Sequence, residues 1–294
     1  MSQLSVLVVG ATGHQGGAVA DHLLFSEYCD FDVHALTRSP ESDRAQALAD
    51  QGATVVKGNL IDKDDLNRAI KAVDAVYCVT TGGNGGADAE VEQGTNIAEV
   101  AADAGVTHIV FSSARGAERN TGIPHFEAKY AVEQRIRDLE LPATIIRPVA
   151  FMQNYEYQRE AILNGTLASP LDEGVSLQLV DTEDIGTLAA AAFAKPEEYI
   201  GETIELAGDE HTLEDAAEIF TTVTGTDVEA QHVPIEVARE EIGESLTMMF
   251  EWLNDHGFDN NTETLERDYD IDLTRLETYL HQHGWASERN QTNK

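Results

Sequence analysis

Residues 6–24 read VLVVGATGHQGGAVADHLL. An apolar run meets a turn holding Gly10, Gly13, Gly16 and Gly17, and a helical pattern follows. One glycine permits a sharp turn, a second lets backbone amides approach a pyrophosphate, and a third lets helix and strand pack closely. The helix start adds unsatisfied N–H groups and the positive end of its dipole. Spacing of the form G-x-x-G-x-x-G between strand and helix therefore predicts nucleotide binding. The plainer reading is a structural turn in an α/β protein.

Short apolar runs alternate with helical patterns onward from this turn. LSVLVV (4–9), FDVHALT (31–37), ATVVKG (53–58), DAVYCVTT (74–81), THIVFSS (107–113) and ATIIRP (143–148) read as strands. Near-continuous apolar strands joined by helices predict a parallel sheet covered on both faces. Right-handed crossovers make it a doubly wound α/β fold. Asp62 is placed to cap a helix start, and Gly52 and Gly105 to end helices. After Phe151 the rhythm loosens. The expected division is a nucleotide-binding domain over 1–150, with 175–195 returning to it as strand and helix. Residues 151–174 and 196–286 form a smaller α+β lobe, and 287–294 a frayed tail.

The second strand ends ALTRSP (35–40). A site for NAD usually offers a carboxylate there for the ribose hydroxyls. Arg38 stands in that place, followed by Ser39. A guanidinium fork suits a 2′-phosphate, so the expected cofactor is NADP(H), with NAD as the alternative. A plain surface arginine is the other reading, with Glu41 and Asp43 tempering the local field. Asn59 and the run from Val79 end further strands at the same sheet edge, as do Ser112 and Ser113. Each can be a ligand contact or turn chemistry.

The 294 residues hold 53 acids against 19 bases, a net charge of −34, and only six of the bases are lysines. The acids are spread along the chain. An acidic interaction surface is one reading. A surface adapted to molar salt, in the style of a salt-accumulating archaeon, is the other, because screening then removes most like-charge repulsion. Such a balance counts against direct nucleic-acid binding, which needs cationic surface. No apolar run reaches membrane-spanning length and no basic leader precedes the first strand, so a cytoplasmic setting without membrane contact is expected. Cys29 and Cys78 imply no disulfide framework. No metal site is expected: His281 and His283 are two apart on a terminal helix and share no face.

Residues 125–134 read HFEAKYAVEQ. A short-chain dehydrogenase carries Tyr-x-x-x-Lys on the helix after its fifth strand, where the lysine holds the ribose and the tyrosine shuttles the proton. Here the pair is His125 and Lys129: the lysine is present and the tyrosine is not. Four-residue spacing puts both on one helix face. With an ordinary pKa near ~6.5, His125 can serve as an acid or as a polar cleft wall.

Taken together, VVGATGHQGGAVA, TRSP, EVEQGTNIAEVAADAGVTHIVFSS, HFEAKYAVEQ, LPATIIRPVAFMQN, DTEDIG and PEEYIGETIELAGDEHT resemble the NmrA-like group of atypical short-chain dehydrogenases. That group includes NADPH-sensing proteins of the HSCARG type. The resemblance runs to about Trp285. It implies cofactor contacts from Gly10, Ala11, Thr12, Gly13, His14, Gln15 and Gly16. It adds Arg38, Ser39, Asn59, Leu60, Thr80, Thr81, Lys129, Phe151 and Asn154. Some relatives carry basic residues after the arginine, where this chain has Ser-Pro-Glu-Ser. Two functions follow. One is an NADP(H)-binding regulator with little or no dehydrogenase activity, acting on a protein partner. The other is an NADPH-dependent reductase of a small apolar electrophile such as a quinone, with Lys129 and His125 as the catalytic candidates. Relatives imply a monomer or a homodimer.

Overall fold

The computed structural model describes residues 3–257 and 262–286, so the expected frayed tail at 287–294 lies outside the described residues. The chain divides into two compact units: 1–148 with 185–205, and 149–184 with 206–294.

In the first unit, β1 (Leu4–Val9), α1 (His14–Leu24), β2 (Phe31–Thr37), α2 (Asp43–Asp50), β3 (Thr54–Lys57), α3 (Lys63–Ile70) and β4 (Ala75–Val79) alternate. They are followed by α4 (Gly86–Ala104), β5 (His108–Ser112), α5 (Pro124–Asp138) and β6 (Ala143–Pro148). The second unit opens with β7 (Ala150–Phe151), α6 (Arg159–Leu163), β8 (Thr166–Ser169) and β9 (Ser176–Val180). Helix α7 (Thr182–Ala194) leads back to the first unit, which adds α8 (Pro196–Tyr199) and β10 (Thr203–Leu206). The remainder is β11 (Asp209–Thr212), α9 (Leu213–Thr224), β12 (Glu229–His232), α10 (Ile235–Ile242), α11 (Glu244–His256), α12 (Thr262–Tyr269) and α13 (Leu276–Gln282).

The main sheet has seven strands in the order β10-β6-β5-β4-β1-β2-β3. It runs parallel from β6 to β3. Val6–Val9, Ala75–Cys78 and Ile109–Phe111 are all buried, as strands covered on both faces must be. The order reverses direction between β1 and β4, which makes that gap the switch point of a doubly wound, Rossmann-like sheet. Helix ends follow the chemistry of the sequence. Asp62 accepts from the amides of Asp64 at 2.9 Å and Asp65 at 3.1 Å, and Gly105 closes α4 at φ +70°.

Two strands exchange the places the sequence suggested. Residues 175–180 were expected in the main sheet; β9 instead pairs antiparallel with β11 and parallel with β7 in the second unit. Residues 201–208 were expected in the smaller lobe; β10 is instead the seventh strand of the main sheet. The cause is that β10 is an edge strand. An edge needs neither continuous apolar character nor two partners, so TIEL can alternate in burial and still join a parallel sheet.

The second unit has its own core, in which Phe220 meets Tyr155 and Trp285 edge-on at 5.0 and 5.1 Å. None of the helices among the described residues is long and apolar enough to cross a membrane.

Two buried ionisable groups give these units opposite responses to acid. His108, in the first unit, is 2% exposed and bonded to Thr144, and burial pushes its pKa down to about 4. The unfolded chain takes up a proton there below about 6.5 while the folded chain resists it. His108 therefore removes about 2 kcal/mol of stability as pH falls from 7.5 to 5. Asp184, in the second unit, is pushed up to about 6 by burial, against bonds from Thr274. Folding holds that proton more tightly, so the same change adds about 1 kcal/mol. Urea unfolding at both pH values should show His108→Gln losing less stability than the wild type on acidification, and Asp184→Asn losing more.

Candidate functional site

The glycine turn is the first part of the site. Gly10 sits at φ +73°, a conformation that disfavours a side chain, and its carbonyl accepts the Gly13 amide at 2.9 Å. Gly13 caps α1 with no side-chain bond, and the first turn of α1 carries no acid. The turn's amides therefore remain available to an anion at the positive end of the helix. Ala11 and Gly16 are buried, Gln15 is half-buried, and Thr12, Gly13 and His14 are exposed. Gln15 is held by the Ser112 hydroxyl, which donates to its Oε1 at 2.6 Å and ties the turn to the end of β5.

Arg38 follows β2 at the same sheet edge and is exposed, as is Ser39, whose amide donates to Thr37 Oγ1 at 3.1 Å. Every other arginine among the described residues pairs with a carboxylate. Arg38 pairs with none of them, although Glu41 and Asp43 stand close in sequence. A guanidinium without a carboxylate partner among the described residues is suited to taking a phosphate. Asn59 and Leu60 follow β3. The Asn59 amide donates to Asp65 Oδ2 at 3.1 Å, and the Leu60 carbonyl accepts from Asn96 Nδ2 at 3.1 Å.

On the other side of the switch point lies Lys129. Its ammonium meets Glu90 Oε1 at 2.9 Å, the Thr80 carbonyl at 2.9 Å, Thr80 Oγ1 at 3.2 Å and the Ser112 carbonyl at 3.3 Å. Glu90 also accepts from Thr80 Oγ1 at 3.1 Å. Thr80 is buried; Thr81 is exposed, and its carbonyl accepts from Gln93. The sequence reading missed Glu90. Its signal was there: Glu90 shares a helical stripe with Gly94, Ile97, Ala98 and Ala101, and a carboxylate on an apolar stripe needs a buried partner.

His125 is one turn before Lys129 and packs edge-on against Phe126 at 4.8 Å. Burial pushes its pKa below the ordinary histidine value, with Lys129 adding to the fall and Glu90 opposing it. Near neutrality it is an uncharged imidazole. One turn beyond Lys129, buried Glu133 accepts from Ser113 at 2.5 Å, from Arg137 at 2.9 Å, and from Arg147 through two bonds of 2.9 and 2.8 Å. This cluster locks α5 to β5 and β6, and with it the height of Lys129. It gives Arg147 a positioning role.

Phe151 and Asn154 belong to the second unit. Phe151 pairs with Val180 across β7 and β9, and Asn154 is exposed in a short 3-10 segment, Met152–Gln158. His283 stacks on Tyr279 at 4.2 Å, and His281 lies 3.9 Å from Glu277.

This arrangement places a glycine turn without a side-chain cap at the switch point of the sheet, with Arg38 following the neighbouring strand. A profile of the NmrA-like family matches residues 2–285, and the chain belongs to that family. An NmrA-like family domain-containing protein of Dictyostelium discoideum is 30% identical over 269 residues, covering 86% of this chain and 88% of that one. The NmrA-like family domain-containing oxidoreductase FrzB of a Cladobotryum species is 29% identical, covering 75% and 73%. In fold, the chain is similar to NmrA, a negative transcriptional regulator, in complex with NADP. The TM-score is 0.78 at 19% identity, over 95% of this chain and 94% of that one. It is also similar to an NADPH-dependent quinone oxidoreductase of Escherichia coli complexed with NADPH. There the TM-score is 0.79 at 23% identity, over 96% and 99%.

Proposed function

We propose that this protein binds NADP(H) in its first unit and acts as a cofactor-sensing regulator of the HSCARG type, with little or no dehydrogenase turnover. One observation carries the cofactor: Arg38 is the one described arginine without a carboxylate partner, at the strand end where a 2′-phosphate belongs. In this reading the turn from Gly10 through Ala11, Thr12, Gly13, His14 and Gln15 to Gly16 holds the pyrophosphate. Arg38 and Ser39 take the 2′-phosphate, and Asn59 and Leu60 flank the adenine. Thr80, Thr81 and Lys129 border the nicotinamide half.

Bound NADPH would offer hydride chemistry. The chain's own residues offer positioning and little acid chemistry: His125 is neutral where a tyrosine acid is expected, and Lys129 is held by four protein acceptors. The spread of acids supports a salt-rich cytoplasm as the setting.

A second reading is an NADPH-dependent reductase of a small apolar electrophile. It is favoured by the oxidoreductase name of the FrzB relative and the quinone activity named for the Escherichia coli neighbour. Hydride transfer to a quinone needs alignment more than an acid, because water can supply the proton. NADPH oxidation by the purified protein in concentrated potassium chloride, against a panel of quinones and aldehydes, separates the two. The regulator reading expects binding without turnover. Turnover at ~1 s⁻¹ or faster, within the ordinary enzyme range, contradicts it and supports the reductase.

A further inference from the structure

We propose that Glu90 sets the balance between oxidised and reduced coenzyme at this site, acting through Lys129; the inference rests on the NADP(H) reading. The topology fixes which half of the coenzyme is concerned. Arg38 follows β2, on one side of the switch point, and so claims the adenosine half. The nicotinamide half must then run toward β4 and β5, on the other side. There Lys129 is bonded to the Thr80 and Ser112 carbonyls that end those strands.

Oxidised nicotinamide is a cationic ring and reduced nicotinamide is neutral. A lone ammonium beside it disfavours the oxidised form, and at low dielectric that repulsion is large. Glu90 removes it. Its side chain is 6% exposed, that of Lys129 is 12%, and they meet at 2.9 Å. Glu90 also accepts from Thr80, so the carboxylate is fixed at the strand end as well as paired. The buried pair is close to neutral as a unit. The site then accepts NADP+ and NADPH with similar electrostatic ease.

The test measures the dissociation constants of NADP+ and NADPH by calorimetry, with melting temperatures alongside, for the wild type, Glu90→Gln, Glu90→Asp, Lys129→Met and the Glu90→Gln/Lys129→Met double variant. Glu90→Gln is expected to raise the ratio of the NADP+ to the NADPH constant about tenfold, from the uncompensated charge. Glu90→Asp should keep the ratio near the wild-type value. The double variant should return it there, because no ammonium remains to compensate. It also removes both members of the buried pair, so it guards against a single variant that fails to fold. A lower melting temperature with an unchanged ratio makes Glu90 merely structural and overturns the proposal. So does a raised ratio that persists in the double variant. A wild type that binds neither coenzyme removes the NADP(H) reading itself, and is recognised before any variant is made.

Discussion

Gly16→Val is expected to abolish coenzyme binding and to destabilise the first unit by about 3 kcal/mol or more, at the top of the range for forced overpacking. A Cβ at position 16 would lie 2.3 Å from the Gly10 oxygen, 2.4 Å from the Gly10 carbon and 2.8 Å from the Val9 oxygen. All three are backbone atoms of the strand and turn, so no flexible side chain can yield. Relief requires α1 to move off β1, and that motion dismantles the row of amides. Gly17→Ala is the control. Its nearest obstruction is an Arg44 guanidinium nitrogen at 2.6 Å, on a half-exposed side chain that can swing aside. Alanine also favours the helix by up to ~1 kcal/mol. Urea unfolding and coenzyme titration of both variants should show loss at 16 and near-neutrality at 17. Equal behaviour would mean that the close approach of helix and strand is not what holds the turn.

The second large effect is expected at Arg38. Arg38→Glu should change the preference for NADPH over NADH about a thousandfold, close to 4 kcal/mol. Part is the loss of charge-assisted bonds to the 2′-phosphate, about 1.5–3 kcal/mol. The rest is repulsion between two anions, together with a carboxylate able to accept from the free ribose hydroxyls of NADH. Because Arg38 pairs with no carboxylate among the described residues, its replacement orphans no partner, and stability should hold within ~0.5 kcal/mol. A fall in binding shared equally by both coenzymes would show that Arg38 supplies general attraction and does not read the phosphate.

Much of this was legible in the sequence because strand, turn and helix signals agreed locally. Val6–Val9, the glycine turn and Arg38 each sit within one unit of secondary structure, so spacing alone placed them. The parallel sheet followed from apolar runs that only a doubly covered strand can carry. What escaped depends on distant partners. Glu90 lies 39 residues before Lys129, and no local rule pairs them. Glu133 is legible as one of many acids on an exposed-looking helix, and only the fold brings Arg147 and Ser113 to it. The exchange of β9 and β10 escaped for a related reason. Both segments alternate, and alternation cannot distinguish an edge strand of a large sheet from a strand of a small one.

The central claim is that exposed amides after β1 grip a pyrophosphate while Arg38 selects the phosphorylated dinucleotide. Its most direct test is calorimetric titration of the wild-type protein with NADPH and with NADH in concentrated potassium chloride. Saturation is expected at one coenzyme per chain, with NADPH bound at least ~tenfold more tightly than NADH, the worth of about 1.4 kcal/mol from one charged contact. No heat from either coenzyme, or tighter binding of NADH, would contradict it.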